Sequence, residues 1–241
     1  MAFEVRWNSR TGTGTPDNRD FGGVGLRGAA AIAMIADGAT TRPQSGALAE
    51  RLVRTIIERF MTESGSVTPE ILRGWLSACH QPLTHVFSAA SASYLILYKE
   101  TNGTAFTMHA GDCLIGSVRG ANAITWLVQP HTLANAITTS MDIADIAASE
   151  LRHRLTRSFR HREFMPPTET ILPPLDGPLV LATDGFWADA DHDDQLRMMT
   201  GQASDAHGDR DDSSILQIWP SQEDPAPEFI VDAGQNFLLC R

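Results

Sequence analysis

The sequence predicts an α+β layered domain, on three observations. Strand-like alternation comes in two runs, near the N-terminus and from Ser91 onward. Two helix-patterned stretches stand between those runs, and the regular strand–helix–strand succession of a parallel sheet is missing. With 241 residues, 42% hydrophobic and 20% charged, one large domain with a sizeable core is expected over residues 1–241.

Residues 3–7 alternate as a first strand, and the loop "NSRTGTGTPDNRD" follows. "FGGVGL" and "AAAIAMIA" flank Arg27-Gly28 and read as a hairpin. From Ser45, the residues Leu48, Leu52, Ile56 and Phe60 recur every four positions with charged residues between them, an amphipathic helix. Thr68-Pro69-Glu70 supplies a capping residue, a proline at the first helical position and an acid in the first turn, so a second helix starts there. "SASYLILYKE", "TAFTMHAGD", "CLIGSVRG" and "AITWLV" read as successive strands. Residues 141–159 return to helical spacing through Ile143, Ile146, Leu151 and Leu155. "GPLVLATDG" and "SSILQIW" are strands, and "EFIVDAGQNFLLC" adds a terminal pair at about 228–239.

The formal charge of −10, from 29 acidic against 19 basic residues, argues against a nucleic-acid or anionic-membrane binder, which needs clustered Lys and Arg. Cys79, Cys113 and Cys240 have no metal-site spacing, no signal peptide is evident, and no apolar run nears the length of a membrane span. A cytoplasmic location is expected. Two motifs are set aside. Gly23-Val24-Gly25-Leu26-Arg27-Gly28 fits a dinucleotide fingerprint in letters only, and a hairpin turn explains it better. "DADHDD" from Asp189 lacks the glycine and the final glutamate of a calcium loop and reads as a solvated acidic loop.

What remains is a recurring syntax, an apolar strand that ends in aspartate. It occurs at Asp37 ("AMIADG"), Asp112 ("TMHAGD") and Asp184 ("LVLATDG"), while Asp20 and Asp211 stand just before strands. Carboxylates so close to apolar strands must be paired or must bind a metal. Arg19, Arg42 and Arg210 are the basic residues nearest in sequence to neutralise them. Converging aspartates without Cys or His at metal spacing select Mg²⁺ or Mn²⁺. Two such ions suit in-line displacement at phosphorus.

The ordered set "NRD", "ADG", "HAGDC", "LTRSF", "LATDGFW" and "DDSSIL" resembles the metal-dependent protein serine/threonine phosphatases of type 2C (PPM), in particular their compact bacterial members. The resemblance implies a four-layer αββα sandwich of two antiparallel sheets, one catalytic domain over 1–241 with a flap-like segment at about 156–178. It implies that Asp37 bridges two Mn²⁺ or Mg²⁺ ions, that the Gly38 carbonyl binds one, and that Asp184 and Asp211 hold the other. Asp20 joins directly or through water, and Asp112 falls where a weaker third ion binds. The substrate implied is a phosphoserine or phosphothreonine protein, the product of a serine/threonine kinase. Two alternatives are carried: a pseudophosphatase acting as a binding module, and a small-molecule phosphomonoesterase.

Departures from the pattern are specific. Ala39 and Thr40 follow the first Asp-Gly in place of glycine and histidine, leaving a metal-bound water or, alternatively, His109 as the candidate acid. Thr15 stands where the family has its phosphate-binding arginine, so Arg10 and Arg19 are candidates for that role. Leu114 replaces the arginine of the family's Gly-Asp-Ser-Arg. An acid usual four residues beyond the second Asp-Gly aspartate is Ala188 here, with Asp189 one place late.

Overall fold

The computed structural model describes residues 2–100, 105–120, 123–138, 141–173, 177–202, 211–221, 229–232 and 236–241. Two sheets face each other across an apolar interior. One sheet contains β1 (Ala2–Arg10), β6 (Leu114–Arg119), β7 (Ala123–Trp126), β10 (Leu179–Ala182), β11 (Ser213–Ser221) and β12 (Phe229–Asp232), in the order β12-β1-β11-β10-β6-β7. The other contains β2 (Asp20–Arg27), β3 (Ala30–Gly38), β4 (Ser91–Glu100), β5 (Ala105–Ala110), β9 (Thr168–Ile171) and β13 (Phe237–Cys240), in the order β13-β2-β3-β4-β5-β9, with β8 (Phe159–Arg160) against the start of β4.

Pairing is antiparallel except at one edge of each sheet. There β12 runs parallel to β1, and β13 parallel to β2. The expected terminal pair is therefore two strands that join opposite sheets instead of each other.

Period-two alternation divides the strands between two cores. Trp7, Ile35, Leu95, Leu181 and Leu216 fill the space between the sheets. On the outer face of the second sheet, Met34, Tyr94 and Ile96 meet α1 (Ser45–Thr62) and α2 (Pro69–Val86), which contribute Leu48, Leu52, Ile56, Leu72 and Leu76. The glycine-rich β2 follows from this double burial: a Cβ at Gly22 would strike the Trp7 ring. The "GxGxxG" letters thus belong to the β2–β3 hairpin, as expected.

The fourth layer is thin. α5 (His192–Thr200) lies over the first sheet's outer face, where the Asn8 amide donates to the Met198 carbonyl at 3.0 Å. The acidic "DADHDD" is not a loop but the start of this helix: Asp191 caps it by accepting from the Asp194 amide, and Asp193 and Asp194 occupy the positive end of the helix dipole. The helix expected over 141–159 is broken. α3 (Leu133–Ile137) and α4 (Ile143–Ala147) are single turns, Ser149 caps a short 3-10 turn at Glu150–His153, and the chain then extends into β8. No helix among the described residues is long and apolar enough to cross a membrane.

Candidate metal and phosphate site

Antiparallel order brings strand ends from distant parts of the chain to one edge of the sandwich: the end of β1, the start of β2, the end of β3, the start of β4 and the ends or starts of β5, β10 and β11. Asp20 and Asp37 are directly opposed partners in the β2–β3 ladder, and Asp37 also faces Ser93 of β4. Like charges placed across a ladder repel. Ser93 in turn donates to Asp112 at 2.6 Å, so three acids line the edge of the second sheet. From the first sheet, Thr183 donates to Asp20 Oδ2 at 2.9 Å across the sandwich, next in sequence to Asp184. Thr40, after the Asp37 turn, donates to Asp211 at 2.7 Å.

Electrostatics record the crowding. Burial pushes the Asp37 carboxyl well above the ordinary carboxylate range, and Asp20, Asp184, Asp112 and Asp211 raise it further. Asp20 is pushed up to about 8, chiefly by burial, with hydrogen bonds from Ser214 and Thr183 opposing and Asp212 and Asp211 adding to the rise. Asp184 is also raised, by burial and then by Asp112 and Asp211. The five aspartates singled out in the sequence therefore share one field.

The glycines after Asp37 and Asp184 have a packing reason. A Cβ on Gly38 would run into the backbone of Ser45 at the start of α1, and one on Gly185 into the Asp212 carbonyl. Each turn is pressed against a second segment, which fixes the carboxylate before it.

Several functional contacts were not visible in the sequence. Arg152, buried on the 3-10 turn, pairs with Asp184 at 3.3 Å and also with Asp189. Asp189 reaches it because Gly185–Asp189 form a π-turn, whose wider winding absorbs one extra residue. The "one place late" acid thereby shares Arg152 with Asp184. Asp212 accepts from the backbone amides of Gly12 at 2.8 Å and Arg19 at 2.7 Å, tethering the loop between β1 and β2. Ser214 meets Ser9 at 2.7 Å and its amide donates to Thr183, joining β1 and β11 to the turn before Asp184.

The two arginines expected to capture phosphate both donate to backbone carbonyls. Arg19 Nη1 donates to the carbonyls of Ala39, Thr40 and Arg42, bracing the loop after Asp37. Arg10 ends β1 opposite Ser213 and donates to the Gln202 carbonyl. His109 is buried, its Nε2 bonded to the Gln129 carbonyl and its ring stacked on His131 at 4.4 Å. Burial keeps its pKa below the usual imidazole value. It is a core histidine, not an acid facing substrate. Arg210 lies outside the described residues.

The donor set fits hard divalent cations. It consists of carboxylates, and one oxygen, Asp20 Oδ1, is buried without a hydrogen-bond partner. Among the described residues no three acidic, His or Cys side chains already stand in a common ligand shell. The carboxylates are instead engaged by Thr183, Thr40, Ser93 and Arg152. A groove of about 730 Å³ opens beside Asp20, walled by Ser9, Asn18, Glu50 and Arg54.

The protein phosphatase 2C family model matches residues 8–215. No curated protein matches the chain. Among solved structures, the serine/threonine phosphatase Stp1 from Staphylococcus aureus superposes with a TM-score of 0.76 at 14% identity, over 92% of this chain and 96% of that one. The PPM Ser-Thr phosphatase MsPP from Mycobacterium smegmatis gives 0.74 at 16%, over 92% and 100%. PppA of Pseudomonas aeruginosa, a regulatory component of T6SS, gives 0.67 at 18%, over 91% and 98%. At such identities the likeness is one of fold.

Proposed function

This chain belongs to the protein phosphatase 2C family, and from that premise we propose that it hydrolyses phosphoserine and phosphothreonine in proteins with divalent metal ions. The observation that carries the reading is the register of Asp20 against Asp37, with Asp112 and Asp184 raised beside them and the Asp211 charge acting on all four. Hydrogen bonds engage single oxygens of these acids, and divalent cations would offset the charge that so many of them place at one sheet edge.

On this reading Asp37, Asp20, Asp184, Asp211 and the Gly38 carbonyl hold two Mn²⁺ or Mg²⁺ ions. Bound there, the ions supply Lewis acidity toward the phosphoryl oxygens and a nucleophile near neutral pH. The protein's own part is to keep the carboxylates fixed. Thr183 and Thr40 orient Asp20 and Asp211, Ser93 orients Asp112, and Arg19 braces the loop after Asp37. Arg152 provides a resident cation beside Asp184, Asp189 and Asp112, which reduces the need for a third ion there. Arg10, at the end of β1, is the remaining candidate to meet phosphate. The groove beside Asp20 gives a phosphorylated segment room to lie against the edge. The protein acts in the cytoplasm on products of a serine/threonine kinase.

A second reading, a binding module with weak or no turnover, is favoured by one observation: Arg19 is committed to backbone carbonyls. Calorimetric titration with Mn²⁺ and turnover on a phosphothreonine peptide and p-nitrophenyl phosphate separate the readings. We expect binding and Mn²⁺-dependent release of phosphate from the peptide, abolished by EDTA. Binding without turnover selects the module, turnover on small esters alone selects a phosphomonoesterase, and absence of Mn²⁺ binding overturns both enzymatic readings.

A further inference from the structure

The family match ends at residue 215, yet the chain's last strand returns to the acidic edge. Asn236, just before β13, makes four hydrogen bonds there. Its Oδ1 accepts from Trp7 Nε1 at 3.3 Å, its Nδ2 donates to Ser9 Oγ at 2.8 Å and to the Asp20 carbonyl at 3.0 Å, and its own carbonyl accepts from the Gly22 amide at 3.0 Å. Phe237 follows and stacks on Trp7 at 5.5 Å. Asn18 takes the other side of the same peptide unit's residue: its Oδ1 accepts from the Asp20 amide at 3.0 Å, and its Nδ2 donates to Ser9 Oγ at 2.8 Å.

We infer that Asn236 is a positioning residue for Asp20, so that its carboxamide, contributed from beside the C-terminal strand, is a condition for the edge to hold its cations at full affinity. The inference rests on the metal-dependent reading above. Asp20 is gripped at its N–H by Asn18 and at its C=O by Asn236, while Thr183 holds Oδ2. That leaves the buried, unpartnered Oδ1 as the atom whose direction these contacts set. Residue 236 needs one acceptor toward Trp7 and two donors toward Ser9 and Asp20, on a side chain short enough to stay beside β2. Among the natural residues of that length, only a carboxamide offers this set. Aspartate has the shape but no donors. Partners of this kind, one step removed from the ion, set metal affinity by about tenfold or more.

The test compares the full chain with Asn236→Ala, Asn236→Asp and Leu238→Ala, the last loosening β13 where it packs beside α1 without touching the Asp20 network. Mn²⁺ affinity is read by calorimetry, thermal unfolding by circular dichroism, and the Mn²⁺ concentration for half-maximal turnover by phosphate release. Both Asn236 variants are expected to bind Mn²⁺ about tenfold more weakly, with the half-saturation point for turnover moving by the same factor. Leu238→Ala is expected to lower the melting temperature while binding Mn²⁺ as wild type does. Wild-type affinity in Asn236→Ala, or an equal loss in Leu238→Ala, overturns the positioning role. A wild-type protein that binds no Mn²⁺ overturns the metal reading itself, which is a different result.

Discussion

Asp37-Gly38 and Asp184-Gly185 share a local sequence and a place, each ending an apolar strand at the same edge of the sandwich, one per sheet. Their electrostatic solutions differ. Asp184 carries a resident counter-ion, because Arg152 is buried against it and Asp189. Asp37 has Asp20 across the ladder and Asp112, Asp184 and Asp211 around it, all raising its pKa. The same motif thus yields one carboxylate with a buried guanidinium beside it and one ringed by other acids. The lesson is that a strand-end aspartate is read by what the tertiary fold puts opposite it, not by its own sequence.

The sharpest way to break the comparison is to neutralise each side in turn. Asp37→Asn removes the acid that has no ion pair among the described residues, so Mn²⁺ binding and turnover should both be lost, by a factor on the order of a thousand or more in kcat/KM. Asp184→Asn should also abolish turnover, and it should additionally free Arg152 from one partner. Calorimetry and phosphate release check both. Residual Mn²⁺ affinity near wild type in Asp37→Asn would remove that residue from the centre of the site.

Arg152→Met tests the other side. It keeps the side-chain volume but leaves Asp184 and Asp189 without their cation, and breaking a buried pair in this way costs about 3 kcal/mol. In a chain of this size that is roughly 10 °C in melting temperature. Excess Mn²⁺ should recover part of the loss, since a further ion can then occupy the place of the guanidinium. A variant as stable as wild type without metal would show that the pairing is incidental.

The comparison also bears on what was legible beforehand. Asp20, Asp37, Asp112, Asp184 and Asp211 were legible because strand ends and turn glycines leave short, local signatures. Arg152 was not: it lies 32 positions before Asp184 in a stretch whose apolar spacing predicts one long helix, and only the break at Ser149 turns it toward the edge. Asp189 stands one place later than the resemblance implies, and its pairing with Arg152 could not be read from that spacing because a π-turn carries it. Arg19 was assigned to phosphate on proximity alone, whereas its three carbonyl acceptors belong to a loop that folds back over it. The layered architecture followed from alternation, but the last two strands could not be apportioned between the sheets, because parallel edge pairing has no turn to announce it.

A pH series sharpens the contrast further. Burial raises the Asp20 carboxyl from 3.8 to about 8, and Asp37, Asp112 and Asp184 shift in the same direction. A group raised in this way is favoured in its neutral form. Its contribution to stability is complete below 3.8 and is lost as pH climbs to about 8. In EDTA the melting temperature should therefore fall by several degrees across that window. With Mn²⁺ the slope should flatten or reverse, because ions favour the ionised carboxylates. A metal-free protein whose stability rises steadily from pH 4 to pH 8 would contradict the crowding of the acids.

The smallest effect expected concerns the loop that follows Asp37. Thr40 stands where the family places other residues, and its hydroxyl donates to Asp211 at 2.7 Å while Arg19 holds its carbonyl. Thr40→Val keeps the shape and removes only that donor. One hydrogen bond to a carboxylate is worth about 1.5 kcal/mol, so the Mn²⁺ dissociation constant should rise by roughly tenfold at most, and by less if water replaces the hydroxyl. The Arg152 pair should be untouched, so Arg152→Met and Thr40→Val should add in unfolding free energy, whereas Thr40→Val and Asn236→Ala should not add in metal affinity. Additivity in the first pair with coupling in the second would show the edge to be two electrostatic units, one closed by its own guanidinium and one completed by the ions it binds.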